Sequence, residues 1–270
     1  MMSSGFAKLG NALDEKFEVP RDILKELRKD IEKLANPKKA KIYQRFFKTG
    51  KGEYGEGDVF LGLTVPQSRK IAIKYKDLPF SDIKKLLQSK IHEERLIVLL
   101  ILVYSFNQKD KKENKKKTEI FNFYLANTKY INNWDLVDLS ADKIVGQYLI
   151  DRLEILDQVQ DDTLVRLAYS KSLWERRMAI IATFQFIKKK KEYNWTFKIA
   201  EILLSDKYDL IHKAVGWMLR EVGKQCSQKV LEKFLKKHYI QIPRTTLRYA
   251  IERFPEKLRK EYLNMGSVQI

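Results

Sequence analysis

From residue 20 to residue 263 the apolar residues recur at spacings of three and four, and few segments alternate every second residue. That period matches the 3.6-residue turn of an α-helix and not the pleat of a half-buried strand. The chain is therefore expected to be all-α. Pro20 opens a first helix, with Ile23, Leu24, Leu27, Ile31 and Leu34 on one stripe. Asn36 and Pro37 supply a cap and a first-turn proline for a second helix ending near Gly50. Further helices are predicted over 64–75, 81–89, 92–107, 115–127, 133–150, 160–169, 173–190, 195–204, 209–225, 228–237, 244–253 and 256–263. Ser172 with Glu175 three residues on is a capping-box signature at one of these starts.

Several of the helix starts resemble one another: HEERLIVL at 92, WERRMAII at 174, IHKAVGWM at 211 and PRTTLRYA at 243. Arg95, Arg177, Lys213 and Arg244 hold similar early places in them, and the last two steps are 36 and 31 residues. Such a period belongs to stacked pairs of helices, a solenoid with a concave face. A basic residue repeated at one position would lay a positive track along that face. The chain has 270 residues and is 44% hydrophobic, enough for a sizeable core.

Fifty-three Lys and Arg against 35 Asp and Glu give a net charge of +18. Such an excess attracts nucleic acid or an anionic membrane, although lysine-rich composition can also reflect solubility. Cys226 stands alone, so no intramolecular disulfide and no thiolate zinc site is expected. His92, His212 and His238 lie far apart without metal-ligand spacing. No metal or organic cofactor is expected. The N-terminus lacks an apolar signal-peptide core, and no apolar run reaches the roughly 18 residues of a membrane span. The expectation is a cytoplasmic monomer without a membrane partner.

Residues 50–62, GKGEYGEGDVFLG, hold five of the eleven glycines. The GxGxxG spelled from Gly50 to Gly55 follows a helix and belongs to no βαβ unit, so nucleotide binding is rejected. A glycine-rich loop or a short β-hairpin near 50–60 is expected instead. The lysine-rich stretch Lys109–Lys117 reads as a solvated inter-helix loop. Lys188–Lys191 reads as a helix end whose charge suits the dipole.

Trp134 and Asp138 are four residues apart, which on a helix sets an indole face beside a carboxylate. In a basic protein that pair suits recognition of a cation carried on a polyanion. Arg177 falls within the apolar stripe of Leu173, Ile180, Phe184 and Ile187. A guanidinium there needs a partner, because an unpaired buried charge is costly. Asp138 and a ligand phosphate are both candidates, and a structural salt bridge between repeats is the plain alternative. Lys213, Trp217, Arg220 and Lys224 form a stripe at i, i+4, i+7 and i+11, suited to phosphate and base or sugar contacts, or else to a packed seam flanked by solvated lysines. Trp195 reads as structural, and Trp174 as either.

The segments NNWDLVDLSADKIVGQYL, LWERRMAI, HKAVGWMLREVGK and IPRTTLRYAIERFP resemble, in order, the signatures of the AlkD-like DNA alkylation-repair family. The resemblance covers roughly residues 37–263. It implies a HEAT-like α-solenoid over 20–263, between tails at 1–19 and 264–270, whose concave, positively charged groove holds duplex DNA. It implies a DNA glycosylase that removes cationic alkylated purines without fully flipping the base, with Asp138 as the catalytic carboxylate. Trp134, Arg177 and Trp217 match the family's WDLVD, WxxR and KAxGWxLRE positions. Lys213, Arg220, Arg244 and Arg95 are then candidate DNA contacts. Leu210 is aliphatic where some active members carry an aromatic. The lengthened connection at 50–58 resembles the AlkF/AlkG branch, which implies branched-DNA binding as the alternative to catalysis.

Overall fold

The computed structural model describes residues 22–108, 113–155 and 162–265. The chain runs through α1 (Ile23–Lys33), α2 (Pro37–Phe46), α3 (Val65–Lys74), α4 (Phe80–Leu87), α5 (His92–Phe106) and α6 (Glu113–Ala126). Next, α7 (Trp134–Ala141) passes through a π-helical turn at Asp142–Gly146 into α8 (Gln147–Ile155). The second half comprises α9 (Thr163–Ala168), α10 (Leu173–Ala182), α11 (Asn194–Leu203), α12 (Asp209–Gln225), α13 (Gln228–His238), α14 (Arg244–Ala250) and α15 (Glu256–Asn264). The all-α expectation holds. The expected tail at 1–19 lies outside the described residues, as does all of 264–270 beyond Met265.

Local chemistry sets the helix starts. Pro20 lies outside the described residues, and Asp22 is the N-cap of α1, its carboxylate accepting from the Lys25 amide at 3.1 Å. Asn36 caps α2 through the Lys39 amide at 3.0 Å, with Pro37 at the first helical position. A full capping box forms at Thr64 and Gln67. At α10 only half of one does. Ser172 accepts from the Glu175 amide, but the Glu175 carboxylate turns instead to the hydroxyls of Thr128 and Ser170.

The second helix of each pair packs on the second helix of the next, α5 on α7, α7 on α10, α10 on α12 and α12 on α14. The first helices α4, α9 and α11 lie against their own partners, and α13 packs on α12. This is a solenoid of paired helices. One hydrophobic core runs from Leu27 in α1 to Tyr262 in α15. Its centre is α5, where every residue from Leu96 to Leu102 is at most 4% exposed. A helix apolar on all sides must be enclosed on all sides.

Of the two forms expected for residues 50–60, they take the glycine-rich loop and not the short β-hairpin. They are a series of turns, and the β-type pairing at this loop is a single parallel bridge, Val59 to Ile91. A hairpin needs two facing strands, and the alternation that would build them is interrupted by closely spaced glycines. The lysine-rich stretch is less loop-like than expected. Residues 113–117 belong to α6, and Lys117 pairs with Asp151 at 3.0 Å; 109–112 lie outside the described residues.

Candidate nucleic-acid interface

Helix α5 begins with four charged residues, His92, Glu93, Glu94 and Arg95, all at most 3% exposed. Each fixes a different piece of chain. His92 bonds Asp58 through Nδ1 at 3.1 Å and Asp135 through Nε2 at 2.8 Å. The Glu93 carboxylate accepts from the backbone amides of Leu61, Gly62 and Leu63. Glu94 receives Arg28 of α1 at 2.9 Å. Arg95 pairs with Asp58 at 2.7 Å and donates to the Ser89 carbonyl. Burial opposes the charged imidazole of His92, but the neighbouring Asp135 and Asp58 outweigh it and raise its pKa. Burial likewise opposes the Asp58 carboxylate, and His92 and Arg95 bring its pKa below the usual range. With the imidazole protonated, two cations face two carboxylates, which is how buried charge becomes tolerable.

Above this cluster stands a column of rings. His92 stacks on Phe60 at 4.3 Å, Phe60 on Phe47 at 4.9 Å, and Phe47 on Trp134 at 5.0 Å. Phe46, 62% exposed, meets the Trp134 ring edge-on at 5.7 Å. Each such pair contributes about 0.5–1.5 kcal/mol beyond area burial. Trp134 is thus partly buried, with one face of its indole stacked on Phe47.

One turn along α7 from Trp134 is Asp138. Arg177 of α10 grips it with two bonds, Nε to Oδ1 and Nη2 to Oδ2, both 2.8 Å. The remaining arm of the guanidinium, Nη1, donates to the Leu210 carbonyl at the start of α12. Burial pushes the Asp138 carboxyl above the usual carboxylate range, Arg177 pulls it back, and Asp135 and Asp142 add to the push. Of the two partners left open for Arg177 by sequence, Asp138 is the one the fold supplies.

The glycine-rich connection is held beside this pair. Its stem is fixed by Asp58 and by the three amides on Glu93. Glu53 and Glu56 turn back on the amides of Gly50 and Gly52, each at 2.8 Å. Two glycines are required. A Cβ on Gly55 would lie 2.5 Å from the Phe47 carbonyl oxygen, and Gly62, at φ 89°, would place one 2.3 Å from that of Asn36. At the tip, Tyr54 meets Trp174 edge-on at 5.9 Å. Its hydroxyl lies 3.5 Å from the Phe46 carbonyl. Burial raises the pKa of this phenol, while the Trp134 indole and Lys213 act in the opposite direction.

The remaining expected contacts scatter. Arg95 is corrected: enclosed and paired with Asp58, it presents nothing to an outside ligand and holds the loop instead. Lys213 is partly exposed, paired with Asp209 at 2.7 Å, and close enough to Tyr54 to influence it. Trp217, one turn on, is half-buried against the core. Arg220 bonds Glu252 and Glu221. Arg244 is exposed and donates to the Leu263 carbonyl. Among the described residues no group of His, Cys, Asp and Glu is placed to hold a metal ion, and no helix is long and apolar enough to cross a membrane.

Residues 27–254 match the sequence profile of the family described as DNA alkylation repair enzyme. The chain belongs to that family. A solved structure described as a predicted DNA alkylation repair enzyme from Enterococcus faecalis shares the fold, with a TM-score of 0.62 at 16% identity, covering 82% of this chain and 97% of that one. No curated protein matches the chain. The family match includes every site residue above, together with three that sequence reasoning missed: Phe46, Phe47 and Tyr54. The adjacent phenylalanines at the end of α2 were a visible signal, since two neighbouring rings on a helix cannot both face one core. For Tyr54 no periodic signal existed, because its place depends on a loop held by distant side chains.

Proposed function

We propose that this DNA alkylation repair family member is a monofunctional DNA N-glycosylase acting on cationic purines of the 3-methyladenine and 7-methylguanine type in duplex DNA. The observation that carries the reading is the largely buried carboxylate of Asp138, paired with Arg177 and one helical turn from the partly exposed indole of Trp134. An N3- or N7-alkylated purine is positively charged, so it leaves with the electrons of the N-glycosidic bond as a neutral base and needs little acid assistance. Positive charge then develops on the deoxyribose. Asp138 stabilises that charge and orients the water that adds to the anomeric carbon, as carboxylates do in glycoside hydrolysis. Water supplies the hydroxyl, its proton passes to solvent, and an abasic site remains. Arg177 holds Asp138 in place, and Trp134 attracts the cationic nucleotide through its face at about 0.5–2 kcal/mol. Trp217, Lys213, Arg220 and Arg244 follow the DNA backbone along a HEAT-like groove. The protein acts as a cytoplasmic monomer, associated with the nucleoid if the source is bacterial.

Both Asp138 oxygens are bonded to Arg177, and this favours a second reading in which the pair is a rigid feature of a branched-DNA binder. Release of free base from methylated duplex, measured beside a junction titration, separates the two. Free 7-methylguanine or 3-methyladenine with matching abasic sites is expected. Tight junction binding with no base released would select the second reading. Duplex affinity that barely changes with salt would exclude both, since phosphate contacts release counterions.

A further inference from the structure

Trp134 and Trp174 stand one turn, or nearly one, before Asp138 and Arg177 on two helices that pack against each other. Both indoles therefore lie towards the helix starts from the Asp138–Arg177 pair. Tyr54 bridges those two indoles. Its ring lies on Trp174, its hydroxyl lies by the backbone of Phe46, and the Trp134 indole is close enough to influence its ionisation. The loop that carries it is braced at Gly50, Gly52, Asp58, Leu61, Gly62 and Leu63 by five carboxylate or cationic side chains.

From this geometry we infer that Tyr54 is a specificity-determining residue, a wall beside the Asp138–Arg177 pair that limits the bulk of the alkylated nucleotide able to settle over Asp138. The inference rests on the reading of this pair as the lesion site. A wall on a loosely held loop would swing aside for a larger adduct. Here the tip is turned on its own carboxylates, Glu53 on the Gly50 amide and Glu56 on the Gly52 amide, and the Tyr54 ring packs against Trp174, while Asp58 and residues 61–63 anchor the stem behind it. The polar atom of Tyr54 is secondary, since its hydroxyl bond to the Phe46 carbonyl is long at 3.5 Å. Ring size is the property that counts.

The test is the affinity of the full chain for two duplexes, one with a single 7-methylguanine and one with a single 7-benzylguanine, both on 2′-fluoroarabino sugars that block cleavage. The wild type is expected to prefer the methyl duplex by roughly tenfold, the scale on which a hydrophobic wall discriminates size. Tyr54→Ala should bring the two affinities to within about twofold, Tyr54→Phe should keep the preference, and Tyr54→Trp should widen it, a pattern that loss of folding cannot imitate. No preference in the wild type, or an equal preference in Tyr54→Ala, overturns the inference. Base release from the same methyl lesion on an unmodified sugar is scored separately. Its absence removes the glycosylase reading, while a size preference lost in Tyr54→Ala still establishes the wall.

Discussion

Helices α5 and α10 open with runs of the same character, His92 to Arg95 and Trp174 to Arg177, and they do opposite things. In both, an arginine in the first turn pairs with an aspartate from elsewhere. Arg95 and Asp58 are sealed, their side chains 4% and 5% exposed. Arg177 and Asp138 sit at an edge, with Asp138 at 14%. The difference is the partner: the glycine-rich loop supplies Asp58 to α5 from its stem, whereas at α10 the loop brings only the Tyr54 ring onto Trp174 and the aspartate comes from the neighbouring α7. A repeated charge pair is therefore a fastening where the loop itself supplies the carboxylate and a candidate site where a neighbouring repeat does.

The comparison can be broken from either side. Asp58→Ala leaves the buried Arg95 without its carboxylate and His92 with Asp135 alone, and should destabilise the fold by about 3–5 kcal/mol, read from denaturant unfolding; a loss below about 1 kcal/mol would mean the cluster is not a fastening. Asp138→Asn should lower base excision by about 10²–10³-fold, or roughly 2.7–4 kcal/mol of barrier, with DNA affinity similar or higher. Unchanged excision would remove Asp138 from the chemistry.

Acidity should distinguish the two pairs next. The raised His92 pKa stabilises the fold below its ordinary value of about 6.5 and that contribution is lost as pH rises through the folded value; the lowered Asp58 pKa contributes above about 3.9 and is lost on acidification. Stability should thus fall on both sides of an intermediate range, and His92→Gln should abolish the alkaline decline in particular. Excision needs ionised Asp138, so its acid limb should lie above the usual carboxylate range and move higher still in Arg177→Ala. An acid limb at the ordinary aspartate position would contradict the burial argument. The smallest effect belongs to the open stripe: Lys213→Ala should weaken duplex binding evenly across sequences and reduce the salt slope by about one. If it changes melting instead, Lys213 belongs with the buried group.

Sequence made the helices legible because apolar spacing is local, and it gave the caps at Asn36 and Ser172 for the same reason. It placed Trp134, Asp138 and Arg177 through spacing and through the family resemblance. It misjudged Arg95, because a buried paired arginine and an exposed one look alike in a repeat, and only the distant Asp58 tells them apart. Sequence left open a loop or a short hairpin near 50–60 for a related reason. What shapes that loop is a set of long-range bonds to Glu93, His92 and Arg95, not a turn code within it.

The fasteners of the loop are three neighbours in one helical turn, and they grasp only its far end, Asp58 and residues 61–63. The tip between Gly50 and Gly57 is held by its own carboxylates and by packing on Phe47 and Trp174. Such an arrangement behaves as an interchangeable cartridge on a fixed mount. Tips of different length and composition can be exchanged while Asp58, Gly62 and the helix behind them stay as they are, which makes this segment a natural place to retune what the groove accepts without redesigning the solenoid.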